Sequence, residues 1–287
     1  MFCFADKSDF SALCNLWKIS FGDTDEYILN FLNRRFTDNN TVVFKENGVA
    51  LSVLFLLDGK MKIGKSTYPA RYIYAACTHP DCRGRGLMSR LIEFAAEKSV
   101  EAGYGFLCLT PAEPSLFGYY SRCGFATSFV TERVCVDRKT LAAVAGEYTE
   151  YTPDVCEITG LRNGALSESD AFMWDESAVS YALYETLLVG GKAVFVGKDR
   201  LAGYALFHEH NGKVYVKEIF ARDSYDGVFA ALLENSTGDE FVIDCCRDVK
   251  INLKSSETFD KAMLRPLNGD VARLCGNISG YMGLTLE

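Results

Sequence analysis

Ala76-Cys77-Thr78-His79-Pro80-Asp81-Cys82-Arg83-Gly84-Arg85-Gly86-Leu87-Met88-Ser89 is the stretch on which the reading of this chain turns. Ahead of it, Arg71–Thr78 carries Tyr72, Ile73 and Tyr74 and reads as a strand. Behind it, Leu87, Leu91, Ile92, Ala95 and Ala96 fall on one face of a predicted helix over Leu87–Glu101, with Gly103 placed as its C′ residue. A strand runs out at Pro80, a short turn rich in Arg and Gly follows, and a helix begins. The first amides of a helix have no partner within it and lie at the positive end of its dipole, so such a turn can hold a phosphate. Gly84 and Gly86 allow close approach of the backbone, and Arg83 and Arg85 can add charge-assisted contacts. The turn lacks the Gly-Lys-Ser/Thr of a Walker loop and the third glycine of a Rossmann turn.

Working outward, Ser8–Phe36 predicts two helices. Phe10, Leu13, Cys14 and Trp17 have helical spacing, and the break Gly22-Asp23-Thr24-Asp25 offers an N-cap to a second helix containing Tyr27, Ile28, Phe31 and Leu32. Thr41–Lys45 and Val49–Leu57 read as strands joined by an Asn47-Gly48 hairpin turn. Phe106–Leu109 predicts a short buried strand, Ser115–Arg122 a short helix, and Phe125–Val136 a longer strand. In the second half the expected elements are a helix near Ser169–Leu188, strands at Val194–Val196, Ala202–Glu209, Lys213–Phe220 and Glu240–Cys245, and a helix at Phe229–Asn235.

A weak internal repeat links the halves. Gly48–Phe55 parallels Arg200–Phe207, and Tyr72–Thr78 parallels Tyr215–Ala221. Where the first copy continues into Arg83-Gly84-Arg85-Gly86, the second reads Arg222-Asp223-Ser224-Tyr225-Asp226-Gly227, so the anion-binding turn is expected in the first copy alone.

The 287 residues carry 30 Lys and Arg against 38 Asp and Glu, a formal net charge of −8 that disfavours nucleic acid or an anionic membrane as partner. The N-terminus has no basic-then-apolar leader pattern and no run is long enough to span a membrane, so a cytoplasmic setting is expected. The 11 cysteines are odd in number and lack framework spacing. Placed in apolar segments, as Cys14, Cys77, Cys108, Cys135 and Cys156 are, they read as buried reduced thiols. With no C-x-x-C and only His79, His208 and His210, no metal site is expected.

A second motif lies downstream, where Ser115-Leu116 opens a short helix and Tyr120 sits four positions before Gly124-Phe125. Together the two motifs resemble the GNAT acetyltransferases, and the repeat extends that likeness toward the tandem-domain (Eis-like) group. The resemblance implies an α+β (α/β sandwich type) fold with a mixed central sheet flanked by helices, an N-terminal GNAT domain over 1–137 and a degenerate GNAT-like domain over 150–287. It implies acetyl-CoA as co-substrate. The backbone of Ala76, Cys77 and Thr78 would pair with pantetheine, Arg83, Gly84, Arg85, Gly86, Leu87, Met88 and Ser89 would hold the phosphates, and Ser115 and Leu116 would flank the thioester. Most such domains carry Gly or Ala where this chain has Met88. Tyr120 would protonate the leaving thiolate; Tyr119 is its neighbour and competitor. The predicted central strand contains no carboxylate, and the likeness to the Eis-like group points to Glu287 at the chain's end as the base.

The expected activity is N-acetylation of an amine on a small molecule, peptide or protein. A non-catalytic acyl-CoA-binding or regulatory module is the alternative, and transfer to an aminoacyl or peptidoglycan precursor a third reading that the acidic charge disfavours. Homo-oligomeric assembly is left open.

Overall fold

The computed structural model describes residues 1–248, 251, 253 and 256–285. The chain divides into two compact units. Met1–Met61, Thr67–Thr127 and Ala262–Asn277 form unit 1, and Lys62–Ser66, Ser128–Lys261 and Ile278 onward form unit 2. The division is not a single cut, because a late segment returns to unit 1 by pairing with a strand there.

Unit 1 begins with β1 (Phe2–Phe4), α1 (Phe10–Phe21) and α2 (Asp25–Arg35). Gly22, at φ 78°, ends α1, and the Thr24 hydroxyl caps α2 through the Tyr27 amide, so the sequence break at 22–25 does what it predicts. Next come β2 (Thr41–Glu46), β3 (Val49–Ile63), β4 (Ser66–Thr78), α3 (Leu87–Glu101), β5 (Phe106–Leu109) and α4 (Ser115–Arg122). Asn47 and Gly48 both have positive φ, the requirement of the tight turn between β2 and β3. Beyond Leu57 the hairpin of β3 and β4 continues to a turn at Gly64, longer than the sequence suggested. Within that extension Asp58 accepts a hydrogen bond from Arg71 Nε at 3.2 Å.

Unit 2 contains β6 (Ala126–Asp137), α5 (Arg138–Ala142), α6 (Val155–Ala165), β7 (Ala171–Met173), α7 (Glu176–Leu188), β8 (Lys192–Gly197), β9 (Leu201–His210), β10 (Lys213–Ala221), α8 (Asp226–Glu234), β11 (Glu240–Cys245) and the start of β12 (Ser256–Pro266), with α9 (Gly269–Ala272) following in unit 1. Within it the strands run β6-β11-β10-β9-β8, with β10 and β11 parallel and the other pairs antiparallel. The helix predicted near Ser169–Leu188 starts only at Glu176, after a short strand, because Asp175 caps it through the Ala178 amide. The helix Val155–Ala165, closed at its start by an Asp154–Glu157 capping box, is an element that the sequence pattern does not predict. All 11 cysteines are free, but only five are buried, and Cys135 and Cys156 are exposed.

In unit 1 the strands run β1-β2-β3-β4-β5, with Met263–Pro266 of β12 completing the sheet antiparallel to β5. α3 lays its predicted stripe on one face: Leu91, Ile92 and Ala95 pack with Leu54, Ile73 and Leu107 in one buried cluster. Trp17 lies among Phe31, Phe55 and Tyr74, with ring centroids 4.9, 5.6 and 5.7 Å away. β4 and β5 are parallel partners only from Ala70↔Phe106 to Tyr72↔Cys108, after which β4 runs on to Thr78. Ala75, at φ 47°, marks the irregularity. Among the described residues the end of β4 is thus left without a strand on its β5 side, directly before the Arg/Gly turn. Among the described residues no helix is long and apolar enough to cross a membrane.

Candidate active site

The turn after β4 is built from short-range bonds. Pro80–Cys82 forms one turn of 3-10 helix, with the Cys82 amide donating to the His79 carbonyl and Arg83 to that of Pro80. The His79 ring accepts from the Asp81 amide at 3.3 Å, a local cap that occupies it. Arg83 Nε donates back to the Thr78 carbonyl at 3.2 Å, tying the turn to the strand end.

Gly84 and Gly86 follow at φ 76° and 71°, and a Cβ at either would meet nothing within 4 Å. The glycines are needed for backbone conformation, and the space beside them is open. The first helical bond of α3 runs from the Arg90 amide to the Gly86 carbonyl, and α3 has no side-chain cap. The amides from Gly84 to Ser89 therefore have no acceptor among the described residues. Gly86→Ala should cost about 1–2 kcal/mol for the left-handed backbone alone, which a thermal scan would read as a drop of several degrees; an unchanged midpoint would mean that the turn relaxes freely.

The flanking arginines differ. Arg85 is paired with Glu46 through two hydrogen bonds, at 2.7 and 3.3 Å, and both side chains are partly exposed. That hydrogen bonding holds the Glu46 carboxyl below its ordinary range. Glu46 was not anticipated from the sequence. Its only local signal is its place just before the Asn47-Gly48 turn, and Arg85 lies 39 positions away.

Ala76, Cys77 and Thr78 form the end of β4. The Cys77 carbonyl accepts from Ser52 Oγ at 3.1 Å, and the Thr78 hydroxyl meets the same Ser52 Oγ at 2.8 Å. Burial pushes the Cys77 thiol up to about 12, so it is inert at neutral pH.

α4 brings the second motif to the same core. Tyr119, Tyr120, Phe117, Met88 and Ala76 all pack against the cluster that holds Ile73, Leu91 and Leu107. The Tyr-x-x-x-Gly-Phe spacing has a plain cause: Gly124, at φ 83°, closes the helix so that the Phe125 amide returns to the Tyr120 carbonyl at 3.1 Å. The Phe125 ring then packs edge-on to Tyr120, with centroids 6.0 Å apart. Ser115 is exposed at the first turn of α4, its hydroxyl 3.4 Å from the Glu113 carboxylate, and the Leu116 amide donates to the Glu113 carbonyl.

The two tyrosines are told apart by their hydroxyls. That of Tyr119 is bonded to Ser89 Oγ at 3.0 Å. That of Tyr120 has no hydrogen-bond partner among the described residues, and burial, then the neighbouring Tyr119, push its phenol up to about 12. Glu287, expected as the base, lies outside the described residues. The segment ahead of it, Tyr281–Thr285, is buried within unit 2 and is not a regular strand; its pairing is limited to single bridges at Gly280 and Tyr281.

Residues 4–128 match the family model described as Acetyltransferase (GNAT) domain. The same fold recurs in solved structures. A GCN5-related N-acetyltransferase from Kribbella flavida superposes with a TM-score of 0.75 at 17% identity, over 93% of this chain and 70% of that one. Its counterpart from Anabaena variabilis gives 0.74 at 15% identity, over 93% and 73%. Eis1 from Mycobacterium abscessus gives 0.67 at 11%, over 93% and 74%. No curated protein matches the chain. The match to the GNAT acetyltransferase model thus spans residues 4–128, and the mixed α/β fold of these solved structures is shared across nearly the whole chain.

Proposed function

We propose that unit 1 transfers the acetyl group of acetyl-CoA to an amine of a small molecule, peptide or protein by direct attack in a ternary complex. The observation that carries this reading is the open row of amides from Gly84 to Ser89 at an uncapped helix start. A diphosphate satisfies those donors, the helix dipole favours its charge, and Arg83 stands beside it. The pantetheine arm would lie along Ala76–Thr78, where β5 has left β4, with Ser115 and Leu116 at the thioester end. We read the chain as a tandem-domain member of the group, a reading supported by the likeness to Eis1 and by the short parallel pair present in both units.

In the reaction the neutral amine attacks the thioester carbon, the C–S bond breaks, the sulfur takes the proton of Tyr120, and the proton shed by the acylated nitrogen passes to water, from which the phenolate is reprotonated. Burial raises the Tyr120 phenol to about 12 and so keeps it protonated at neutral pH, the form a general acid needs. The acid must be protonated to act, so activity from this group is present below its pKa and lost above it. A kcat profile should rise as the amine deprotonates and show no fall assignable to a tyrosine near pH ~10, the ordinary phenol value. A falling limb there that vanishes in Tyr120→Phe would contradict the placement. The primary test is calorimetric titration of the protein with CoA, followed by thioester consumption over a panel of amines. No measurable CoA binding ends this reading.

A further inference from the structure

Unit 2 repeats the geometry that opens unit 1, and then fills it. β10 and β11 are parallel partners from Lys213↔Glu240 to Val216↔Ile243 only, although β10 continues to Ala221 and β11 to Cys245. The register of β10 against β9 slips between Val216 and Glu218. In unit 1 the matching pair, β4 and β5, also parts before the first strand ends. At the corresponding place in unit 2 stands a piece of the chain itself: residues 281–285 line one cleft with Val216 and Lys217 of β10 and Val242 and Asp244 of β11.

The segment is held by its backbone. The Gly280 amide donates to the Ser128 carbonyl and its carbonyl accepts from Val130, at 2.8 and 2.9 Å. Tyr281 pairs with Asp170 and Phe172 in the same way, at 2.9 and 3.0 Å. The Gly283 carbonyl accepts from Trp174 Nε1 at 2.9 Å and from the Arg162 guanidinium at 3.5 Å. A Cβ on Gly283 would collide with the Glu218 carboxylate and the Tyr281 hydroxyl. Arg162 and Glu218 are a fully buried ion pair at 3.0 Å, and the hydroxyls of Tyr204 and Tyr281 donate to that carboxylate at 2.7 and 3.5 Å. Leu284 is kept at φ 53°, a strained setting for a side chain of its size that persists only where the surroundings impose it. A buried ion pair by itself adds little net stability. What this one does is specify where residue 283 must lie.

We infer that the cleft opened by the parting of β10 and β11 is a binding site for an extended peptide segment, and that residues 281–285 of this chain are its resident ligand, so that unit 2 takes no cofactor arm. The contrast with unit 1 rests on the acyl-CoA reading above; the occupied cleft does not. The space left beside the segment is about 120 Å³, below the ~300–1,000 Å³ of small-molecule sites.

Hydrogen exchange on the intact chain is the test. The Tyr281 amide, which donates to the Asp170 carbonyl, should exchange as slowly as those of β10, and Gly283→Ala should accelerate it about tenfold or more while β9 and α8 keep their protection. Exchange of that amide in the wild-type protein at the rate of exposed chain would overturn the inference, as would an unchanged rate in a folded Gly283→Ala. Tyr281→Phe, which removes one long hydrogen bond without steric change, supplies a milder variant that should shift the same amide in the same direction, and no shift would count against it. Calorimetry with CoA should give one site per chain; two sites would overturn the exclusion from unit 2. The exchange result stands whether or not CoA binds, so failure of the acyl-CoA reading and failure of this one are read separately.

Discussion

Tyr120→Phe keeps its affinity for CoA and loses turnover by about 10²–10⁴-fold, the usual contribution of a positioned general acid. The substitution removes one oxygen that has no hydrogen-bond partner among the described residues. The ring packing against Phe125 and the Tyr119 ring is retained, so folding should be almost unaffected. Tyr119→Phe is the matching control. It breaks the bond to Ser89 at the start of α3 and should act on CoA affinity more than on kcat. If the two variants exchange these phenotypes, the acid is Tyr119. If neither changes turnover while CoA still binds, the non-catalytic module becomes the better reading.

Arg162→Met destabilises the protein by about 3–5 kcal/mol, the cost of leaving a buried carboxylate without its partner. Glu218 is fully buried and among the described residues retains the hydroxyls of Tyr204 and Tyr281, while the Gly283 and Phe172 carbonyls each lose a donor. At roughly 2–4 °C per kcal/mol for a body of this size, the thermal midpoint should fall by about 10 °C. Replacing both partners, as in Arg162→Met with Glu218→Leu, should recover much of the loss, because no charge is then stranded. A loss under about 1 kcal/mol in the single variant would show that water reaches the carboxylate.

Much of unit 1 is legible from short-range signals. α3 spans Leu87–Glu101 as its apolar stripe predicts, and α4 begins and ends where Ser115 and Arg122 place it. The turns at Asn47-Gly48 and Asn211-Gly212 adopt the positive φ angles their residues allow. Two elements are not legible, for different reasons. Val155–Ala165 has too little apolar periodicity to stand out, and its helix is secured by packing and a capping box. β12 lies on a segment with no clear alternation, and it becomes a strand because β5 offers it an open edge more than 150 positions earlier in the chain.

The sequence is enough to specify the turn before α3, its two glycines and the spacing that returns Phe125 to Tyr120, because caps, turns and left-handed residues act over a few positions of chain. Tertiary structure settles that Glu46 takes Arg85, that Ser89 engages Tyr119 and leaves the Tyr120 hydroxyl without a partner among the described residues, and that residues 281–285 fill the cleft of unit 2. Each of those outcomes depends on groups 30 or more positions apart, and no local pattern encodes which distant partner a polar side chain will meet once the core has brought them together.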